Sequence, residues 1–312
     1  MSKASIKGLH HVTALCSDPR ANHRFYTGVL GLRLVKRTVN FDDPGTYHLY
    51  YGDGAGSPGT ILTFFPWMGM PRGRQGAGQA VVTSFRTGEG SLEWWKQRLE
   101  EAKVAVRGPV RRFSESVIEF SDPDGMGLEI VAAAGPLPVT VEWGNSPVPP
   151  EHALRGFHAV TLLEAARDAT DAVVAGQMGY RMIGEEKGRF RYRAPEGDTA
   201  ALLDILVQPG GRPGLQGAGT VHHIAFRAGD ETVQLGWKEK LARSGLSVSP
   251  VMDRSYFHSI YYREPGGVLF EIATDGPGFA TDEPAESLGE KLKLPAQYEA
   301  ARAQIERALP AL

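Results

Sequence analysis

LHHVTAL at residues 9–15 and VHHIAFR at 221–227 are almost the same phrase, written near opposite ends of a 312-residue chain. Each opens on a histidine pair and continues with residues that alternate as on a β-strand, whose side chains point to opposite faces in turn. The second phrase is followed by Glu271 inside LFEIAT, another short apolar strand pattern. Two imidazoles and one carboxylate on strands are the donors of a three-ligand metal site with open positions, the set that suits oxygen-activating iron. A lone strand histidine is usually a satisfied core residue. Two pairs in matching contexts, with a carboxylate to complete the set, call for another explanation.

Internal repetition supplies it. The first-strand patterns are GLHHVTAL from Gly8, GQAVVTSF from Gly78, GFHAVTLL from Gly156 and TVHHIAFR from Thr220. Each precedes a helix pattern. In the first, Asp18 can cap, Pro19 fits the first turn and Gly31 stands where a left-handed C-terminal residue belongs; Gly179 and Gly245 close the third and fourth helices alike. Three strand-like runs follow each helix, the last being GTILTFFP, GLEIVAA, ALLDILVQ and GVLFEIAT. The unit is βαβββ, four times over. The expected fold is α+β, with four modules in two two-module halves forming cup-shaped, half-open barrels. The halves span residues 1–134 and 151–275, joined by a linker at 135–150 that carries five prolines. A polar tail follows at 276–312, with a helix pattern from about Pro295.

The repeats let each candidate ligand be compared with its counterparts. The place of His11 is held by Val81, Ala159 and His223 in modules two, three and four. The place of Glu271 is held by Thr63, Glu129 and Asp204 in modules one, two and three. A site built from modules one and four unites His11, His223 and Glu271, whereas modules two and three would offer Val81 and Ala159 where imidazoles are needed. One active cup and one silent cup follow. Thr63 in the fourth place leaves three coordination positions free, unlike a four-ligand site for Zn(II), Ni(II) or Mn(II) acting as a Lewis acid.

Composition bounds the remainder. With 34 basic and 36 acidic residues there is no cationic excess to bind nucleic acid or an anionic membrane. No apolar run reaches spanning length, and the start, MSKASIKGLHH, has no signal-like apolar region. The single cysteine, Cys16, excludes an intrachain disulfide, reads as a buried strand residue and fits a reducing cytoplasm.

The four modules resemble the vicinal oxygen chelate superfamily, which includes glyoxalase I, fosfomycin-resistance proteins and extradiol dioxygenases. GLHHVTAL, FPWMGMPRGRQGAGQ and RSYFHSIYYREPGGVLFEIATD (254–275) resemble the ring-cleaving dioxygenases that open hydroquinones, and the likeness runs to about Phe279. It implies Fe(II), with Mn(II) or Zn(II) as other occupants, held by His11, His223 and Glu271. It further implies His10, Thr13, His222, Arg254 and Tyr261 around the metal, and a small aromatic substrate with O2 as reactants. A homo-oligomer is allowed. The rival readings are a glyoxalase-type lyase or isomerase with a redox-inert metal, and a non-catalytic binding protein of the same fold.

The residues themselves support these roles unequally. Thr13 is two residues from His11 and shares its face. Strict alternation would turn His10 and His222 away from the metal, and His158 in module three matches His10 with no metal beside it. Tyr261 could hydrogen-bond a substrate oxygen and Arg254 could stabilise a phenolate. Tyr256, Phe257, Phe65 and Trp67 are candidate pocket walls, and Glu129 and Asp204 read as structural acids.

Overall fold

The computed structural model describes residues 5–197 and 199–312. Module one runs through β1 (Leu9–Cys16), α1 (Pro19–His23, continued by π-helical turns over Arg24–Val29), β2 (Arg33–Val39), β3 (Tyr47–Gly52) and β4 (Ile61–Pro66). Module two holds β5 (Gln79–Thr87), α2 (Leu92–Glu101), β6 (Arg107–Arg112), β7 (Glu115–Ser121) and β8 (Gly127–Ala132). Module three holds β9 (Phe157–Glu164), α3 (Asp168–Asp171, with π-helical turns over Ala172–Gln177), β10 (Arg181–Glu186), β11 (Arg189–Arg193) and β12 (Leu202–Val207). Module four holds β13 (Val221–Gly229), α4 (Glu231–Arg243), β14 (Met252–Asp253), β15 (Phe257–Arg263) and β16 (Leu269–Pro277). The fold is the α+β arrangement of four βαβββ modules read from the repeats.

Local chemistry explains the module ends. Asp18 accepts hydrogen bonds from the backbone N–H of Arg20 and Ala21 with Pro19 behind it, and Asp230 caps α4 through Val233. Gly31, Gly179 and Gly245 all adopt positive φ where the helical segments stop. The fully buried Trp95 of α2 and Trp237 of α4 anchor their helices to the core, and truncating either to alanine would cost about 3–5 kcal/mol. Cys16 is buried on β1 as a free thiol.

Two eight-stranded sheets result, ordered β14-β15-β16-β13-β1-β4-β3-β2 and β10-β11-β12-β9-β5-β8-β7-β6. Modules one and four share the first sheet, and modules two and three the second, so each sheet takes one module from either half of the chain. The antiparallel pair β1·β13 joins the modules of the first cup, and β5·β9 joins those of the second. Among the described residues no helix is long and apolar enough to cross a membrane.

The tail ends in α5 (Arg302–Ala308), preceded by a 3-10 segment over Ala296–Ala301, as the helix pattern from about Pro295 suggested. On its way it crosses module one. Lys36, fully buried on β2, bonds Glu283 and, at 2.6 Å, Asp282, while the Tyr298 hydroxyl donates to the Phe41 carbonyl at 2.7 Å. The tail thus backs the wall of the first cup.

Candidate metal centre

His11 and His223 project from adjacent antiparallel strands, and Glu271 projects from β16, which pairs with β13. His11 Nε2 and His223 Nε2 lie 3.3 Å apart, and Glu271 Oε2 lies 3.3 Å from the first and 3.0 Å from the second. All three residues are buried, and they form a cluster able to hold a metal ion. An ion about 2.1 Å from each donor at right angles needs donors about 3 Å apart, which is the spacing found.

The hydrogen-bond inventory argues the same way. His11 Nδ1 is 2.9 Å from His10 Nδ1, and His223 Nδ1 is 2.8 Å from His222 Nδ1. If the second histidine of each pair donates from Nδ1, its Nε2 keeps a lone pair and the first histidine holds its tautomer. Three lone-pair donors then converge, and Glu271 Oε2 receives no hydrogen. A cation completes such a set. Burial alone would raise the Glu271 carboxyl; in the metal-free site hydrogen bonds from the His11 and His223 imidazoles stand in for the cation and hold it well below its ordinary range. Its other oxygen accepts from the Ser259 hydroxyl at 2.5 Å.

β-bulges explain how the first histidine of each pair escapes strict alternation. Leu9 and His11 face the consecutive residues Phe226 and Ala225, leaving His10 as the extra residue on β1; His223 and Val221 face Thr13 and Ala14, leaving His222 extra on β13. A bulge re-aims its side chain. The two differ in exposure to the cup: His222 lines the cavity, whereas His10 is buried against Phe257, ring centroids 5.1 Å apart.

The cavity over the three donors measures about 270 Å³ and is walled by Phe41, Phe65, Trp67, Phe257 and Leu269, with Tyr261, Arg254 and His48 as polar members. Three of the four aromatic walls read from the sequence are there. The fourth, Tyr256, is not: it stacks behind the wall on Phe279 and under Lys36. Arg254 Nε donates to Tyr261 Oη at 3.2 Å, leaving the phenol hydrogen free. Burial, then the Glu271 charge, pushes that phenol up, so it stays protonated. Arg254 also reaches Asp42 at 3.8 Å; Asp253 instead faces His258.

Thr13 and Thr63 are neighbours in register, Thr13 lies across from His223, and Thr63 donates to Thr13 at 2.9 Å. Sequence reasoning missed His48 and Tyr50. Their signal was positional: Tyr50 pairs with Thr63, and His48, two residues earlier, shares its face. His48 Nε2 meets the Thr63 hydroxyl at 2.9 Å and its Nδ1 meets the Tyr50 hydroxyl at 2.8 Å. Burial, then His11 and His223, holds His48 well below its ordinary range.

The second cup repeats the first with other side chains. Val82 faces Thr161 as His223 faces Thr13, so the place of His223 belongs to Val82, one residue beyond the expected Val81. Val81 sits at the bulge equivalent to His222; the register set by the antiparallel partner outranks the shared VT pair. Ala159 faces Ser84 as His11 faces Ala225. Around these, Arg112 bonds Glu129 at 2.6 Å and Glu119 at 2.8 Å, Arg191 bonds Asp204 at 2.8 Å and Glu115 at 2.6 Å, and His158 meets Glu115 at 2.9 Å. Glu129 and Asp204 are therefore structural acids. A larger groove of about 880 Å³ opens on this cup, yet its Glu119 and Glu129 are already matched by Arg112, and its Asp122 accepts from the Tyr26 hydroxyl and two backbone N–H groups. The chemistry favours the smaller cavity.

Models of one family match residues 8–130 and 149–272, covering most of both halves. The chain belongs to the glyoxalase/bleomycin resistance protein/dioxygenase superfamily. It is 50% identical over 309 residues to MhqO of Bacillus subtilis (strain 168), provisionally named a ring-cleaving dioxygenase, covering 99% of this chain and 97% of that one. It is 35% identical over 312 residues to a chlorohydroquinone/hydroquinone 1,2-dioxygenase of Sphingobium indicum, covering 97% and 96%. A crystal structure from Bacillus subtilis, provisionally named a dioxygenase, superposes with a TM-score of 0.94 at 49% identity over 99% of this chain and 98% of that one. Glyoxalase I from Zea mays, at 13% identity and a TM-score of 0.63 over 86% and 92%, shares the fold.

Proposed function

We propose that this superfamily member is an Fe(II)-dependent dioxygenase that opens the ring of a hydroquinone or a related substituted phenol, with His11, His223 and Glu271 as the metal ligands. The observation that carries the reading is the convergence of two imidazole nitrogens and one carboxylate oxygen, 3.0–3.3 Å apart, at the base of an aromatic-walled cavity. Two histidines and one carboxylate on a single face are the ligand set of non-haem Fe(II) oxygenases. The relative whose printed name specifies hydroquinones supports the choice of substrate class.

When bound, iron supplies the one-electron chemistry that lets dioxygen react with a closed-shell ring. The chain's own groups bind and orient. Phe65, Trp67 and Phe257 pack on the ring and exclude water. Tyr261 Oη donates its free hydrogen to a substrate oxygen, and Arg254, bonded to that phenol, offsets the negative charge of a deprotonated substrate. His222, its Nδ1 engaged by His223, presents Nε2–H to the cavity as a second hydrogen-bond donor to the substrate. Thr63 stands where a fourth ligand would block the open face.

The protein loaded anaerobically with Fe(II) is expected to consume O2 with hydroquinone, methylhydroquinone or chlorohydroquinone, read with an oxygen electrode. No uptake with any of these phenols despite bound iron would sink the proposal. Glu271→Gln should abolish turnover; a variant that merely raised KM would remove Glu271 from the ligand set.

A further inference from the structure

His48 and Tyr50 have no part in the binding steps above, yet they begin a hydrogen-bonded chain that runs to Thr13, across from His223. Tyr50 Oη lies 2.8 Å from His48 Nδ1, His48 Nε2 lies 2.9 Å from Thr63 Oγ1, and Thr63 Oγ1 donates to Thr13 Oγ1 at 2.9 Å. A neutral imidazole has one N–H, so only one of its two nitrogens can donate. Tyr50 is almost wholly buried and its hydroxyl bonds no other protein group among the described residues, so accepting from His48 would leave its own hydrogen only the cavity it lines. If Tyr50 donates instead, His48 Nε2 carries the hydrogen and gives it to Thr63, and Thr63 gives its own to Thr13. The threonine pair, 2.9 Å apart, accommodates that direction. The hydrogen left over at the end is that of the Thr13 hydroxyl.

The second cup offers an internal comparison. Arg191 pairs with Asp204 as Tyr50 pairs with Thr63, which places Arg189 at the position of His48 and Thr161 at that of Thr13. Arginine can only donate, and Arg189 Nη1 donates to Thr161 Oγ1 at 2.6 Å. In both cups the first-strand threonine thus accepts from its neighbours, which turns its own hydrogen away from them. In the second cup the arrangement is charged and closed by carboxylates. In the first it is neutral and ends opposite His223.

We propose that Tyr50 and His48 are positioning residues: they fix His48 as the Nε2–H tautomer and so orient the Thr13 hydroxyl as a hydrogen-bond donor toward a substrate oxygen bound beside His11 and His223. The tautomer half stands independently of the reaction, and the substrate half rests on the ring-cleavage reading. Tyr50→Phe removes the donor that selects the tautomer. His48 can then donate from Nδ1 or accept from Thr63, and the chain loses its direction. His48→Leu breaks it outright, whereas His48→Gln keeps an N–H close to the lost Nε2–H.

Nitrogen-15 shifts of the histidine rings in metal-free protein, assigned by the signals lost in His48→Gln, test the first half. His48 is expected to show Nε2 protonated and Nδ1 bare in the wild type, and a mixed or reversed pattern in Tyr50→Phe. A protonated Nδ1 in the wild type overturns the proposal. The second half is read with 4-nitrocatechol, whose visible spectrum reports its ionisation, bound anaerobically to Fe(II)-loaded protein. Tyr50→Phe and His48→Leu should bind it about tenfold more weakly and less ionised, the loss of one net hydrogen bond, with metal content unchanged and His48→Gln restoring most of the effect. Equal affinity and equal spectra in all variants overturn it. Should the wild type show the expected tautomer and probe spectrum but take up no O2 with any phenol, the ring-cleavage reading fails and the positioning role survives.

Discussion

His10 and His222 are the extra residues of two matching β-bulges, and each brings its Nδ1 within 2.9 Å of the histidine that follows it. The bulges lie on facing strands, so the two pairs present their second imidazoles to one point. A partner of this kind fixes the ring orientation and tautomer of a ligand, and its loss weakens metal binding by about 10–100-fold. His10→Leu and His222→Leu should both lose metal affinity to that degree, measured by competition with a chromogenic chelator. Only His222 lines the cavity. At saturating metal, His222→Leu alone should remain slow in O2 uptake. Recovery of full turnover by both variants would leave His222 with a structural duty.

Thr63 occupies the place equivalent to Glu271, and its hydroxyl bonds Thr13 and His48. Thr63→Glu should add a second carboxylate to the set and close one open position. The variant is expected to keep divalent metal through dialysis against a chelator that strips the wild type, and to lose O2 uptake. Unchanged uptake would show that the fourth place does not face the metal.

Lys36 is buried between Asp282 and Glu283 of the tail, with the Tyr256 ring beneath its ammonium group. Removing one member of a buried ion pair strands the others and costs about 3–5 kcal/mol. Lys36→Met should lower unfolding stability by that amount in urea titrations. Because Phe279 packs on Tyr50 and Tyr298 holds the Phe41 carbonyl, loosening the tail should also raise KM. A variant as stable as the wild type would show the tail to be dispensable as a brace.

Glu164 at the end of β9 lies near Glu264, whose carboxylate accepts from Thr170, Gly266 and Val268. Burial, then the Glu264 charge, pushes Glu164 up to about 8. Its folded value exceeds the unfolded one, so the folded state binds the extra proton, and stability falls as pH rises from about 4.5 through 8. Glu164→Gln removes the charge that must form. Its melting temperature should exceed the wild type's at pH 9 and approach it at pH 4.5. A constant difference between the two across that range would contradict the assignment.

The parts of the site that were legible in the sequence are those that repetition exposes. His11, His223 and Glu271 stand out because modules two and three show what the same places hold in a cup without the histidines. His48 and Tyr50 did not stand out, because a polar residue on a middle strand acquires meaning only when the strand opposite is known. Val82 was displaced by one residue for a related reason. The VT pair of modules one to three suggested an alignment, but module two plays the part of module four in its sheet, and a bulge shifts the frame by one residue.

By itself the sequence determined the βαβββ unit, its fourfold occurrence and the chemical types available for a metal site, since strand alternation, helix caps and glycine positions act over a few residues. The tertiary structure alone decided that the first histidine of each HH pair is a bulge residue holding its neighbour's Nδ1, that Arg–carboxylate pairs fill the second cup, and that the tail braces the first. Those outcomes depend on pairing register and on contacts between modules far apart in the chain, and no local pattern encodes either. The HH phrases name the candidate ligands; the antiparallel pairing of β1 with β13 brings them within 3.3 Å of each other.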